Sequence, residues 1–257
     1  MTLALAYIVE SAGSRYEVPE TAPGGEIQHA AGLLIRLRLV AVGSGMENPV
    51  QLTPRFTQAV DYARHVHVSL RKGTQLPYIA HLLGVASLVL GETGHVPFPV
   101  TEDMAIAALL HDAVEDEGGL PRLRDIEAKF GNKVAKIVEG CTDSFVEYPD
   151  KKEEWEQRKS SYIERLWNEP HETLLVSVAD KLYNARSILE DYRELRDRVW
   201  ERFKRGRKEQ LWYFGELIKV FERRCPNWRI AEELKRIVKE LAQLSAEDRR
   251  SGSLQTE

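Results

Sequence analysis

Leu109-Leu110-His111-Asp112-Ala113-Val114-Glu115-Asp116 ends an apolar helix in a cluster of ligand-type side chains. Thr101 is an N-cap, and Glu102 and Asp103 suit the positive start of the helix that follows. Met104, Ala107, Ala108 and His111 fall along one side of it. On a helix continued through the cluster, His111 and Glu115 are i,i+4 neighbours, as are Asp112 and Asp116, and Asp112 and Glu115 are i,i+3. Carboxylates packed this closely repel one another unless a cation neutralises them, so a divalent ion at the helix end is expected.

A second helix carries the same anomaly. The run Leu174-Leu175-Val176-Ser177-Val178-Ala179-Asp180-Lys181-Leu182-Tyr183-Asn184 is apolar except where Asp180 interrupts it, with Asn184 at i+4. A carboxylate inside an apolar stripe is costly unless paired. Lys181 is the bland partner and a metal ion the functional one. The third element is Pro77-Tyr78-Ile79-Ala80-His81-Leu82-Leu83, where His81 sits among apolar residues near a helix start. Alone, such a histidine reads as a hydrogen-bonded core residue. Beside the other two clusters it reads as a ligand.

Working outward, the chain from Pro54 onward is helix after helix. Thr53 caps the first, with Pro54 at its first position and Phe56, Val60, Ala63 and His67 at spacings of three or four. Helices follow over Pro77–Leu90, from Thr101, over Arg122–Phe130 with a stop at Gly131, and over Lys133–Glu139. The charged segment Glu153–Trp167 is expected to lie on the surface, and Leu174–Leu189 to be central. Gln210–Phe221 and Ile230–Leu244 complete the set. No alternating run of useful length is seen, so sheet content near zero is expected. The fold class is all-α, a helical bundle over residues 47–245, with 246–257 as a tail. Residues 1–46 are expected to be a poorly ordered extension, or to lie upstream of a true start at Met46. A short amphipathic helix over Gln28–Val42 is the alternative.

Composition excludes several classes. Of 257 residues, 43% are hydrophobic and 30% charged, as in a soluble domain with a sizeable core. A net charge of -4 argues against a dedicated nucleic-acid binder while leaving room for local basic patches. No apolar run is long enough to cross a bilayer and no secretion signal is seen, so a cytoplasmic chain without membrane or nucleic-acid partners is expected. The two cysteines, Cys141 and Cys225, form no CxxC pair and read as free thiols in a reducing compartment. Nothing in the sequence sets the oligomeric state.

The order His81, His111-Asp112, Asp180 resembles the HD metal-dependent phosphohydrolases. More specific text surrounds it: Arg71-Lys72, Pro77-Tyr78-Ile79-Ala80-His81, Ala108 to Asp116, Phe130-Gly131, Val138-Glu139-Gly140-Cys141-Thr142-Asp143 and Ala179 to Asn184. This resembles the RelA/SpoT-type hydrolases over roughly residues 55–221, and among them the small, hydrolase-only metazoan SpoT-like members. The resemblance implies an HD-domain helical bundle that removes the 3′-pyrophosphate of guanosine tetra- and pentaphosphate with Mn²⁺. It places metal ligands on His81, His111, Asp112 and Asp180, and a catalytic pair on Glu115 and Asp116. Substrate contacts fall on Arg71, Lys72, Asn184 and Tyr213, and more loosely on Lys152.

Physical chemistry is consistent with those roles. Two imidazoles and two carboxylates suit Mn²⁺ or another divalent ion such as Mg²⁺, Fe²⁺ or Zn²⁺ in a catalytic rather than a structural site. Such an ion activates water, Glu115 is placed to take its proton, Asp116 to orient it, and Arg71 and Lys72 to neutralise phosphate. Three departures bear on the substrate rather than the metal. Glu117-Gly118-Gly119 replaces a threonine exit, Leu82 stands where the family has proline, and the segment between Asn184 and Tyr213 is longer. That segment holds Arg202, Lys204, Arg205, Arg207 and Lys208, read as a solvated loop or as a mobile basic lid. A phosphomonoesterase on another phosphorylated small molecule and a silent nucleotide sensor are the competing functions.

Overall fold

The computed structural model describes residues 6–11, 14–19, 49–148 and 151–253. The chain divides into two units, Met1–Asn48 and Pro49–Glu257. In the first, strands β1 (Ala6–Ser11) and β2 (Ser14–Pro19) pair antiparallel with Ala6 opposite Pro19 and Ser11 opposite Ser14. These two short strands are the sheet among the described residues, and the fold class is all-α as expected. The alternation Arg15-Tyr16-Glu17-Val18 is short, and Tyr7-Ile8-Val9 runs apolar without alternating, so the period-two signal was weak. The other expectations for residues 1–46, including a helix over Gln28–Val42, lie outside the described residues.

The second unit is helical. Its helices are α1 (Pro54–Val66), α2 (Tyr78–Gly91), α3 (Glu102–Leu110), α4 (Ala113–Asp116) and α5 (Gly119–Phe130), then α6 (Asn132–Cys141), α7 (Trp155–Leu166), α8 (His171–Leu195), α9 (Arg207–Arg224) and α10 (Arg229–Ser253). The caps read from sequence are in place: Thr53 accepts from the Arg55 amide and Thr101 from the Met104 amide. α10 continues to Ser253, so the tail expected from residue 246 begins inside a helix. Among the described residues no helix is long and apolar enough to cross a membrane.

α3 is the axis of the core. Every residue from Met104 to Leu110 is buried, as expected for a helix apolar on all sides. α1, α2, α6 and α8 pack around it, and α10 runs along α8 and α9. α7, expected on the surface, buries Tyr162, Ile163 and Leu166 on one side. Its charged residues are therefore not all solvated. Between α1 and α2, a bridge of Leu70 to Pro77 closes a loop that presents Arg71, Lys72 and Gly73.

One close approach positions α2 against α8. A Cβ on Gly84 would lie 2.0 Å from Tyr183 Cε2, so only glycine lets the Tyr183 ring cross α2 there. That ring packs edge-on against His81 with centroids 4.9 Å apart. Gly84→Ala gains up to about 1 kcal/mol of helix propensity but forces an overlap that costs about 1–3 kcal/mol. A lower Tm in thermal unfolding followed by circular dichroism is the expected outcome. An unchanged or raised Tm would show that Tyr183 moves freely.

Candidate metal centre and adjoining cleft

Three elements bring four side chains together. His81 comes from the first turn of α2 and Asp180 from the middle of α8. His111 and Asp112 lie between α3 and α4, a correction to the single helix expected over this stretch. α3 ends at Leu110, and α4 restarts with the Asp116 amide donating to the Asp112 carbonyl at 3.0 Å. His111 Nδ1 donates to the Ala108 carbonyl at 2.8 Å. That bond fixes the ring with Nε2 toward the site.

Asp112 Oδ2 lies 3.3 Å from His81 Nε2 and 3.1 Å from His111 Nε2. Asp180 Oδ1 lies 3.3 Å and 3.4 Å from the same two nitrogens. Ligands at right angles around an ion at about 2.2 Å are spaced about 3.1 Å apart, so these distances fit the edges of a coordination shell. His81, His111 and Asp112 alone place ligand atoms within 4.8 Å of one another. Both Nε2 atoms are buried and face these carboxylate oxygens without a well-aligned hydrogen bond among the described residues. The donor set therefore fits a divalent ion.

The surroundings orient these groups. Asp180 uses both oxygens: Oδ2 accepts from Lys181 Nζ at 2.5 Å, and Oδ1 accepts from Asn184 Nδ2 at 2.6 Å. The lysine pairing weighed from sequence is thus present, and it leaves Oδ1 facing the imidazoles. Asn184 Oδ1 in turn accepts from Arg71 Nη2 at 2.6 Å. The Tyr78 hydroxyl donates to Asp112 Oδ2 at 2.7 Å and reaches Asp116 Oδ2 at 3.3 Å. Tyr78 is also stacked on the buried His67, centroids 4.7 Å apart. Tyr78 had a legible signal, since it stands three residues before His81 at the helix start.

Burial alone would push the Asp112 and Asp180 carboxyls up. His111 and His81, with Lys181 beside Asp180, overcome it and hold both well below the usual carboxylate range. Burial pulls the His111 imidazole down, but Asp112 and Asp180 override it and raise its pKa to about 10.

Glu115 and Asp116, on α4, lie in an ion-pair network of their own. Lys152 Nζ reaches Glu115 Oε1 at 3.4 Å and Asp116 Oδ1 at 3.5 Å. Arg158 Nη1 reaches Glu115 Oε1 at 3.3 Å and also pairs with the buried Asp143, which takes Lys159 Nζ at 2.5 Å. Arg158 and Lys159 were missed because α7 reads as a charged surface helix. Burial pushes the Glu115 carboxyl up to about 7, with Asp143 and Asp116 adding to the rise and Lys159 and Lys152 opposing it.

A cleft of about 480 Å³ opens beside His81, lined by Arg71, Lys72, Asn184 and Tyr213 among others. Lys152 is not among its lining residues and stays with the acidic pair. Tyr213 is buried, its ring lies near Lys159 (5.1 Å) and Lys181 (6.0 Å), and its hydroxyl has no partner. The basic run is not a uniform solvated loop: Arg202 lines the cleft, while Arg205 pairs with Glu154 and Glu156.

The HD domain family matches residues 59–206. The chain belongs to that family. Membership implies a divalent metal ion, and His81, His111 and Asp112 form a cluster that could hold one. The mouse guanosine-3′,5′-bis(diphosphate) 3′-pyrophosphohydrolase MESH1 is 37% identical over 135 residues, covering 51% of this chain and 68% of the mouse protein. Its human counterpart is 36% identical over the same length, with 51% and 68% covered. The solved structure of a metazoan ortholog of SpoT that hydrolyzes ppGpp superposes with a TM-score of 0.58 at 25% identity, covering 74% of this chain and 97% of that one.

An ion held at His111 in this HD domain would displace the Nε2 proton of an imidazole whose pKa the two carboxylates raise to about 10. Affinity for Mn²⁺ is therefore expected to rise with pH between 6 and 9, with a proton released on binding. Calorimetric titration of metal-depleted protein in buffers of different ionisation heat reads both. Affinity flat across that range would contradict the assignment.

Proposed function

We propose that this chain removes the 3′-pyrophosphate of guanosine tetra- and pentaphosphate. The observation that supports it most is the convergence of His81, His111, Asp112 and Asp180 beside a cationic cleft of nucleotide size. Their proposed role is as metal ligands, with Mn²⁺ the ion that their mixed nitrogen and oxygen donors suit. A divalent ion held there supplies Lewis acidity toward a phosphoryl oxygen and lowers the pKa of water.

The chain's own groups do the rest. Glu115, with its carboxyl near pH 7, is matched to accept a proton from the attacking water. Asp116 is tied through the Tyr78 hydroxyl to Asp112, which holds it toward the reacting side. Arg71 and Lys72 neutralise phosphate charge, and Asn184 fixes the Arg71 guanidinium. The Tyr213 hydroxyl is a spare donor for ribose or phosphate. Lys152 tempers the acidic pair. A cytoplasmic place is part of the same reading, supported by the free thiols of Cys141 and Cys225.

Incubation with guanosine 3′,5′-bis(diphosphate) and Mn²⁺ is expected to yield pyrophosphate, and Asp180→Ala to abolish it. Release of single phosphate would instead make the chain a phosphomonoesterase. Nucleotide-dependent thermal stabilisation without product would make it a sensor.

A second expectation concerns pH. The base form of Glu115 is lost as pH falls through about 7, so kcat should rise with pH to a plateau above that value. Glu115→Gln should lower kcat by about 10²–10⁴-fold and remove this acid limb. A limb that persists in the variant would reassign the base.

A further inference from the structure

The cleft is lined by cations from several elements. Lys181 and Lys159 come from α8 and α7. Arg71, which reaches Asn184 beside Asp180, and Lys72 share their loop with Gly73, and farther along α8 this loop meets Arg202, which closes the 3₁₀ turn Arg196–Arg202. Lys72 makes no ion pair among the described residues. The Arg202 stem lies over Gly73: a Cβ there would come within 2.6 Å of Arg202 Cγ and Cδ. Gly73 also has φ +73, so the loop needs glycine both for its turn and for this contact. The Arg202 guanidinium is therefore held against the Arg71-Lys72 loop, with its side chain only 16% exposed.

Its one acidic partner among the described residues is Asp191 of α8. Glu190, the other acid at this end, is paired with Arg193 at 3.3 Å. Asp191 stands seven residues beyond Asn184, two helical turns or about 10 Å along the axis. That span suits a nucleoside carrying phosphate at both ends, one end at Asn184 beside Asp180 and the other at Arg202.

We infer that Arg202 is the specificity residue for a second, non-scissile phosphate group, which displaces Asp191 as the partner of its guanidinium. Bidentate binding of phosphate by a half-buried arginine is strong and directional. Asp191 keeps the arginine in place when the cleft is empty and lowers the net gain on binding. The inference rests on the proposed pyrophosphohydrolase activity and narrows its substrates to those phosphorylated at two ends.

The test compares guanosine 3′,5′-bis(diphosphate) with guanosine 3′-diphosphate, which lacks the distal group. Kinetics use the Mn²⁺-loaded full chain, and calorimetry measures binding to metal-depleted protein. Arg202→Gln is expected to raise KM and Kd for the first ligand about 10–100-fold, the scale of a lost charge-assisted contact, and to leave both within about twofold for the second. Asp191→Asn, which keeps the shape of the site, is expected to lower both values for the first ligand only. Equal effects on the two ligands, or no effect of Asp191→Asn, would overturn the inference. Wild-type protein that turns over neither ligand would overturn the proposed activity instead, while the calorimetry would still judge Arg202.

Discussion

Two buried imidazoles and two carboxylate oxygens stand 3.1–3.4 Å apart at the meeting point of α2, the α3–α4 junction and α8, and the rest of the site follows from the need to hold them there. Neither Nε2 atom makes a well-aligned hydrogen bond among the described residues, so packing alone does not account for the cluster. A cation does, because it satisfies the nitrogen lone pairs and offsets the two negative charges at once. The neighbouring bonds then make sense as orientation. Ala108 holds the His111 ring, Tyr78 holds Asp112, and Lys181 with Asn184 fixes the two oxygens of Asp180. Each leaves one atom aimed at the common centre.

The break between α3 and α4 belongs to the same constraint. A straight helix would spread His111, Asp112, Glu115 and Asp116 along neighbouring stripes of one surface. Ending α3 at Leu110 and restarting at Ala113 puts His111 and Asp112 at a corner. Asp112 can then face the imidazoles while Glu115 turns to Lys152 and Arg158. The acidic pair thus has charge partners of its own, and two clusters of carboxylates coexist within a few residues.

Much of this was legible in the sequence because it is expressed as anomalies against an apolar background. Asp180 inside Leu174–Leu182, His81 among aliphatic residues and His111-Asp112 after an all-apolar helix each mark a cost that the fold must offset. Helix order and caps were readable for the same local reasons. What escaped is non-local. Arg158 and Lys159 look like solvated charges until tertiary packing brings them to Asp143, a residue fifteen or sixteen positions earlier. The break at His111 leaves the apolar pattern intact. The hairpin in the first unit has too short an alternation to register. The role of Arg202 depends on contact with Gly73 across more than a hundred residues, which no periodicity encodes.

α8 shows how one helix can join both kinds of information. Asp180, Asn184, Ser187 and Asp191 follow at spacings of four, three and four, so they share one face. The last three line the cleft, and the first supplies a donor to the metal cluster. Leu174, Leu175, Val178 and Leu182, with Ala185 and Leu189, are buried in the core. A helix anchored in this way gives its polar stripe little freedom to shift. Distances along that stripe are then set by the helical rise rather than by loops. The separation between Asn184 and Asp191 becomes a fixed ruler, about two turns long. Selectivity by length requires such a ruler. Here the core supplies it through the same helix that carries Asp180.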